Sequence, residues 1–346
     1  MSTTNEKKMG WEVAKELEAT KTTWERFIPD KGAIRAALWG MFAFFVIFLI
    51  GCWLAGNPFE ATQRIASPIV KKLGWVGTSD WQIMWTVVIL AVVFEFLDAS
   101  AGMGYGTALT PLLLVLGYDP KQIVPVVMIQ QATAGIVGTF LHKEFANVEW
   151  KFSPMSETVK LWLFIAVTGC AAVGISVTAV YKIFKLAKVW ISLYVAVLLI
   201  VMGLTSLMGA ARDRPYRPKM MIFWGGLAAF NKGVGGGGYG PVVTIGGIMS
   251  GIPVKSMMAI TAISEGTTCV FSIIVWLTLL ASGEVLDFLL LPSMMLGSMV
   301  AAVVAPWMTR TFPERIWRWI VPAYSLILAA YVSYKVVPDV MKKLAG

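Results

Sequence analysis

Two glycine runs carry the chemistry that this sequence offers. Gly102-Met103-Gly104-Tyr105-Gly106 and Gly235-Gly236-Gly237-Gly238-Tyr239-Gly240 each follow an apolar run and each open a short apolar helix, predicted over 107–116 and 241–250. Ten helical residues cover only about 15 Å, half the hydrocarbon thickness of a bilayer, so both pieces are half-helices. Each begins where glycine ends, at Thr107 and at Pro241, a proline that costs no bond in the first turn. The free N–H groups and positive dipole end of a helix start attract an anion. Glycine also lets backbone approach a ligand closely. The alternative use of these glycines is close helix packing, common in membranes.

Charged and polar residues cluster around the two breaks. Lys232 is the one Lys or Arg that falls within membrane depth, where a charge costs about 2.5–3.5 kcal/mol on the lenient scale. Asp98 occupies the matching position before the first break. Two readings follow: the pair neutralises itself, or Lys232 binds the substrate's negative charge while Asp98 releases it. Asn231 adds a neutral donor beside Lys232. Glu265 lies mid-run in a long apolar segment and is a candidate proton carrier, with Glu95, one turn before Asp98, as the weaker one. Gln130, Gln131, Thr133, Ser264 and Thr267 form a polar band that either joins helices or lines the substrate path. His142, the sole histidine, sits at a helix end beside Lys143 and reads as an interfacial residue.

The elements that must position these groups are apolar. The chain has 346 residues, 57% hydrophobic and 14% charged, against about a quarter charged in soluble domains. Runs of spanning length occur at 34–55, 82–101, 120–142, 158–181, 188–209, 255–281, 286–307 and 315–337. The expected fold is therefore an all-α polytopic membrane protein. The net charge of +9 lies in short clusters between apolar runs, the pattern of membrane-protein loops rather than a nucleic-acid stripe. Three scattered cysteines and one histidine provide no disulfide framework or metal-ligand spacing. No nucleophile–base set or nucleotide fingerprint is present, so neither an enzyme nor a cofactor is expected.

The breaks recur at an offset of 134 residues. It matches Gly102, Gly104, Tyr105 and Gly106 to Gly236, Gly238, Tyr239 and Gly240, then Thr110 to Thr244, Lys121 to Lys255 and Thr133 to Thr267. This implies two repeats, at 80–209 and 217–337, with an extra helix at 34–56 and a tail at 338–346. Residues 1–33 form an N-terminal arm without a signal peptide's apolar core. Trp11, Leu17, Trp24 and Phe27 fit either a surface-lying amphipathic helix ended by Pro29 or a disordered tail. A cytoplasmic N-terminus puts 18 Lys and Arg inside and 10 outside, although the three lysines of loop 182–188 oppose it. Each glycine-interrupted pair must then return to its own face, which makes the repeats inverted. The C-terminus is placed outside.

The run Asp98-Ala-Ser-Ala-Gly-Met-Gly-Tyr-Gly-Thr-Ala-Leu-Thr-Pro, followed by Gly117-Tyr-Asp-Pro-Lys, resembles the first signature of the sulfite exporter TauE/SafE family, also called toluene-sulfonate uptake permeases. Gly233-Val-Gly-Gly-Gly-Gly-Tyr-Gly-Pro, followed by Gly251-Ile-Pro-Val-Lys, is similar to the second. The resemblance covers about residues 80–337. It implies a secondary transporter in the cell membrane for sulfite, a sulfonate or sulfoacetate, built of two four-segment halves; the half-helix starts independently place the anion at both glycine stretches, Thr107 and Gly237 included. An anion channel and a membrane subunit of a larger complex remain the alternatives. The expected partners are the lipid bilayer and a small anion, with no nucleic acid and with homo-oligomerisation left open.

Overall fold

A computed structural model describes residues 10–59, 61–74, 81–102, 104–183, 188–209, 215–311 and 314–345. These residues form helices and no named strand. The arm folds as two short helices, α1 (Gly10–Ala19) and α2 (Thr23–Phe27), rather than one. The break comes from Thr22, whose side chain caps α2 while Glu25 reaches back to the Thr22 backbone. Trp11 is buried edge-on against Tyr216, whereas Trp24 is exposed, so the four aromatic and aliphatic positions do not share one face. Leu17's side chain and residues 1–9 lie outside the described residues.

Asp30 caps α3 (Lys31–Ala55), the extra helix. Its buried positions Ala33, Gly40, Phe44, Gly51 and Ala55 recur by seven and four, which gives one narrow seam. Through it α3 packs on α7 (Pro120–Glu144) and α13 (Leu291–Thr311), and Trp39, Phe42 and Trp53 face outward. After α4 (Pro68–Lys72) comes α5 (Trp85–Ala101), then a π-helical turn at Tyr105–Leu109 that runs into α6 (Thr110–Leu116). Pro111 has no N–H for the carbonyl one turn back, and the wide turn lies just before it.

Beyond α7, helix α8 (Glu157–Val177) is extended by a second π turn, Thr178–Ile183. It is followed by α9 (Lys188–Gly209), α10 (Pro218–Gly235), the half-helix α11 (Tyr239–Met249) and α12 (Val254–Ala281). After α13, the last helix α14 (Glu314–Ala345) continues through the expected tail. Among the described residues, five helices are long and apolar enough to cross a membrane: α3, α7, α8 with its π turn, α12 and α13. The observed start of α13 lies five residues later than the apolar run begins. Asp287 holds the preceding segment in a loop by accepting from Arg64, the Ile65 and Leu289 backbones, and Gln122.

The main packings come in matched pairs: α5 lies along α13, α10 along α8, α9 along α14, and α7 crosses α12 at the centre. That crossing brings Gly135 and Gly266 together; a Cβ at Gly135 would lie 2.7 Å from the Gly266 Cα. The loops sort to two ends. At one end the arm meets α13 through Trp307 and Arg310, and Ser256 meets Asn147. At the other, Lys121 pairs with Glu284 and Arg64 with Asp287.

Candidate functional site

The two glycine breaks are built alike. Gly102 (φ +70°) and Gly236 (φ +73°) end α5 and α10 in the left-handed conformation, and their N–H groups return 2.7 Å bonds to the Asp98 and Lys232 carbonyls. Two residues before each break, the exposed helix-end carbonyl is taken by a hydroxyl: Thr309 donates to Ser100 and Tyr181 to Val234.

Each break also embeds in the other half-helix. Thr244, in the middle of α11, donates to the Gly102 carbonyl at 3.0 Å. Its counterpart Thr110 stands beside Gly236, where a Cβ would lie 3.2 Å from its hydroxyl. Between them the chains touch backbone to backbone. A Cβ on Gly106 would meet the Gly236 carbonyl at 2.2 Å, and one on Gly237 the Gly106 carbonyl at 2.1 Å. The Gly238 N–H, at the start of α11, is taken by Thr107 Oγ1 at 3.0 Å. The crossing is closed in this conformation, and part of its donor capacity is spent on the chain itself.

The charged residues pair differently from the sequence expectation. Asp98 and Lys232 do not pair with each other. Lys232, fully buried, donates from Nζ to Glu265 Oε1 at 2.5 Å. Asp98 accepts from Gln131 Nε2 at 3.1 Å, and the Tyr105 backbone amide faces the same carboxylate. The physical reason is register: α7 and α12 cross at the centre and approach the ends of α5 and α10 only locally, where residue 98 meets 131 and residue 232 meets 265, each 33 residues on. Glu95 accepts from Gln130 at 2.6 Å through Oε2, while its Oε1 has no partner. Among the described residues, three carboxylates thus share this region with one ammonium.

Several predicted site residues converge and others do not. Glu95, Asp98, Gly102, Gln131 and Glu265 line a cavity of about 30 Å³, room for roughly two waters but not for an organic anion. His142 also lines it and is 1% exposed, which corrects the interfacial reading. Its Nδ1 faces Asn147 Nδ2 at 2.9 Å; the same amide nitrogen donates to the Pro306 carbonyl, so Nδ1 accepts and the ring proton sits on Nε2. The loop after α7 folds Asn147 back onto the ring, a contact no spacing announces. Thr133 and Thr267 instead bond back to their own helices, and Thr267 also receives Trp162 Nε1 from α8, a bond that joins two helices.

Asn231 accepts from Tyr194 of α9 and leaves its Nδ2 unpartnered. Tyr194 was not anticipated, because its helix lies far from either motif in sequence. Tyr105 and Tyr239 are fully buried; Tyr239 reaches Thr268, and the Tyr105 hydroxyl faces Ser298. Ser264 Oγ and the Gln130 and Gln131 carbonyls are also buried without partners. Gly104 (φ +157°) and Gly238 (φ +81°) hold conformations that disfavour a side chain, and Gly240 is buried in the first turn of α11. Among the described residues no group of three His, Cys, Asp or Glu is arranged to hold a metal.

Long apolar helices around two interlocked broken ones, with buried charges at the break, define a polytopic membrane transporter. Residues 87–332 match the sulfite exporter TauE/SafE family model, and the chain belongs to that family. It is 25% identical over 248 residues, 70% of this chain and 79% of the relative, to the Bacillus subtilis (strain 168) "Probable membrane transporter protein YtnM". No solved structure matches the chain.

Proposed function

We propose that the chain is a secondary transporter that carries a small sulfur-containing anion, of the sulfite, sulfonate or sulfoacetate class, by alternating access. The observation that carries the reading is the reciprocal embedding of the breaks, Thr244 on Gly102 and Thr110 beside Gly236. It brings two half-helix N-termini together from opposite ends of the bundle, with Lys232 and Asn231 beside them. Inverted repeats account for the matched helix packings and for the sorting of loops into two ends. Direct backbone contact between Gly106 and Gly237 leaves no room for a side chain between the two breaks in this conformation, which favours a carrier over a permanently open pore. The arm-bearing face, rich in Lys and Arg, is the cytoplasmic one.

In the transport cycle the two hairpins part, and the anion takes up N–H groups that Thr107 now satisfies. An interior-negative potential contributes about 2.3 kcal/mol per charge per 100 mV toward anion export, so uptake needs a coupled cation. The test is a binding panel on purified protein with sulfite, thiosulfate, alkyl sulfonates, sulfate and small carboxylates. Saturable binding of sulfur oxyanions that weakens on Asn231→Leu is expected. Binding of none of them, or equal binding in that variant, removes the assignment.

A further inference from the structure

Acceptors and donors are unevenly divided around the crossing. On the cavity side Glu95 Oε1 is buried without a partner, and the Asp98 carboxylate lines the same cavity. Both groups accept when ionised, so this part of the cavity suits a proton or cation and repels an anion. Gln131 spans both regions. Its Nε2 donates to Asp98, and its Oε1 lies 3.0 Å from the Cβ position of Gly106, at the crossing itself.

An ionised Asp98 can only accept, and this fixes the amide with its NH₂ toward the cavity and its carbonyl toward the crossing. In that state a lone pair faces the place where the anion must arrive. A proton from water added to Asp98 creates an O–H donor. The amide then gains by turning over: its carbonyl accepts from Asp98, and its NH₂ faces the crossing as a new donor. The carboxyl O–H forms as an O–H of a hydronium ion breaks, water is left behind, and no other covalent bond changes.

We propose that Asp98 takes up a coupling proton and that Gln131 reports it to the anion site by exchanging its acceptor for its donor. This rests on the transport reading above and adds the coupled ion and the device that links the two. The other ionisable groups facing Asp98 are Glu95 on its own helix, the Tyr105 phenol, His142 on α7, Lys232 on α10, and Glu265 and the Cys269 thiol on α12. Lys232 and Glu265 are bound to each other and the His142 ring faces Asn147, which leaves the two carboxyls of α5, Glu95 and Asp98; of these Asp98 is the one that Gln131 bonds, so a proton taken up there is the one the amide can report. One anion and one proton crossing together move no net charge.

The test uses the full chain in detergent with methanesulfonate, whose own charge is constant over the working pH range. Affinity is expected to rise as pH falls, with a limiting slope of about tenfold per pH unit, the signature of one proton. Proton uptake on binding, read with an indicator dye in weak buffer, should approach one per anion. Asp98→Asn should bind with pH-independent affinity and no proton uptake, because asparagine supplies a permanent donor. Gln131→Met should bind weakly and lose the pH dependence while Asp98 still titrates. A sodium requirement, or unchanged proton uptake in Asp98→Asn, overturns the proposal.

Binding of no anion at all would instead count against the transport reading. Infrared difference spectra of the ligand-free protein keep the two apart. Acidification should raise a carboxylic-acid band lost in Asp98→Asn, together with a side-chain amide shift lost in Gln131→Met. A carboxyl band without the amide shift refutes the switch whatever the protein transports.

Discussion

Removing the ammonium of Lys232 tests the register that the structure assigns. Lys232→Met leaves the Glu265 carboxylate, 6% exposed, without the cation that faces it. Breaking a buried ion pair from one side costs about 3–5 kcal/mol, because the remaining charge stays in a poor solvent. With an unfolding entropy of about 2.1 cal/mol/K per residue over the chain, that is a fall in Tm of roughly 4–7 °C. Adding Glu265→Gln removes the stranded charge, and a neutral pair of similar volume should recover most of the loss. Adding Asp98→Asn to Lys232→Met should recover nothing, since Asp98 is held by Gln131 and not by the lysine. Thermal unfolding of the single and double variants in one detergent gives the two coupling terms directly. Equal rescue by Asp98→Asn and Glu265→Gln would refute the pairing. Anion binding adds a second reading of the same proteins. If Lys232 also attracts the substrate, combining Lys232→Met with Glu265→Gln regains stability without regaining affinity.

Gly106→Ala and Gly237→Ala should each prevent folding or cut stability by more than about 3 kcal/mol, since a Cβ meets backbone at 2.2 and 2.1 Å; Gly226→Ala, with open space around it, should stay within about 1 kcal/mol of wild type in the same melts. Asp287→Ala strands the buried Arg64 and Gln122 donors, so a loss of about 3–5 kcal/mol and faster proteolysis within 57–74 are expected; unchanged digestion would show that the loop is held otherwise. Replacing Cys52, Cys170 and Cys269 and then labelling single cysteines at Lys21 and Lys343 in intact cells should mark residue 343 only, and labelling of both would cancel the inverted-repeat reading.

Much of the fold was legible because a membrane leaves the chain few options. A long apolar run becomes a helix whose ends are set by caps, and Asp30 and Asp119 mark two of the starts directly. The half-helices were legible for the same reason, since glycine breaks cut an apolar run into pieces too short to span. What the pattern could not show was where tertiary bonds move a boundary. The late start of α13 depends on Asp287 meeting Arg64, 223 residues away in sequence. The two-helix arm depends on a local capping box at Thr22 and Glu25, a signal that a search for one continuous amphipathic face passes over.

The site shows how a match between two motifs can still lead to a wrong partner. Matching Asp98 to Lys232 across the offset identified equivalent positions, and opposite charges at equivalent positions invite pairing across the axis. Equivalence by rotation gives no contact, however. The spacing within a repeat gives the contact, because 98 to 131 and 232 to 265 are both 33 residues, the distance along a half-helix and back up the following helix. One carboxylate and one amide in the first repeat replace one ammonium and one carboxylate in the second. The scaffold is symmetric while the chemistry at its centre is not. The proposed coupling of a proton to an anion draws on that asymmetry, since identical halves would place the same charge on both sides of the crossing.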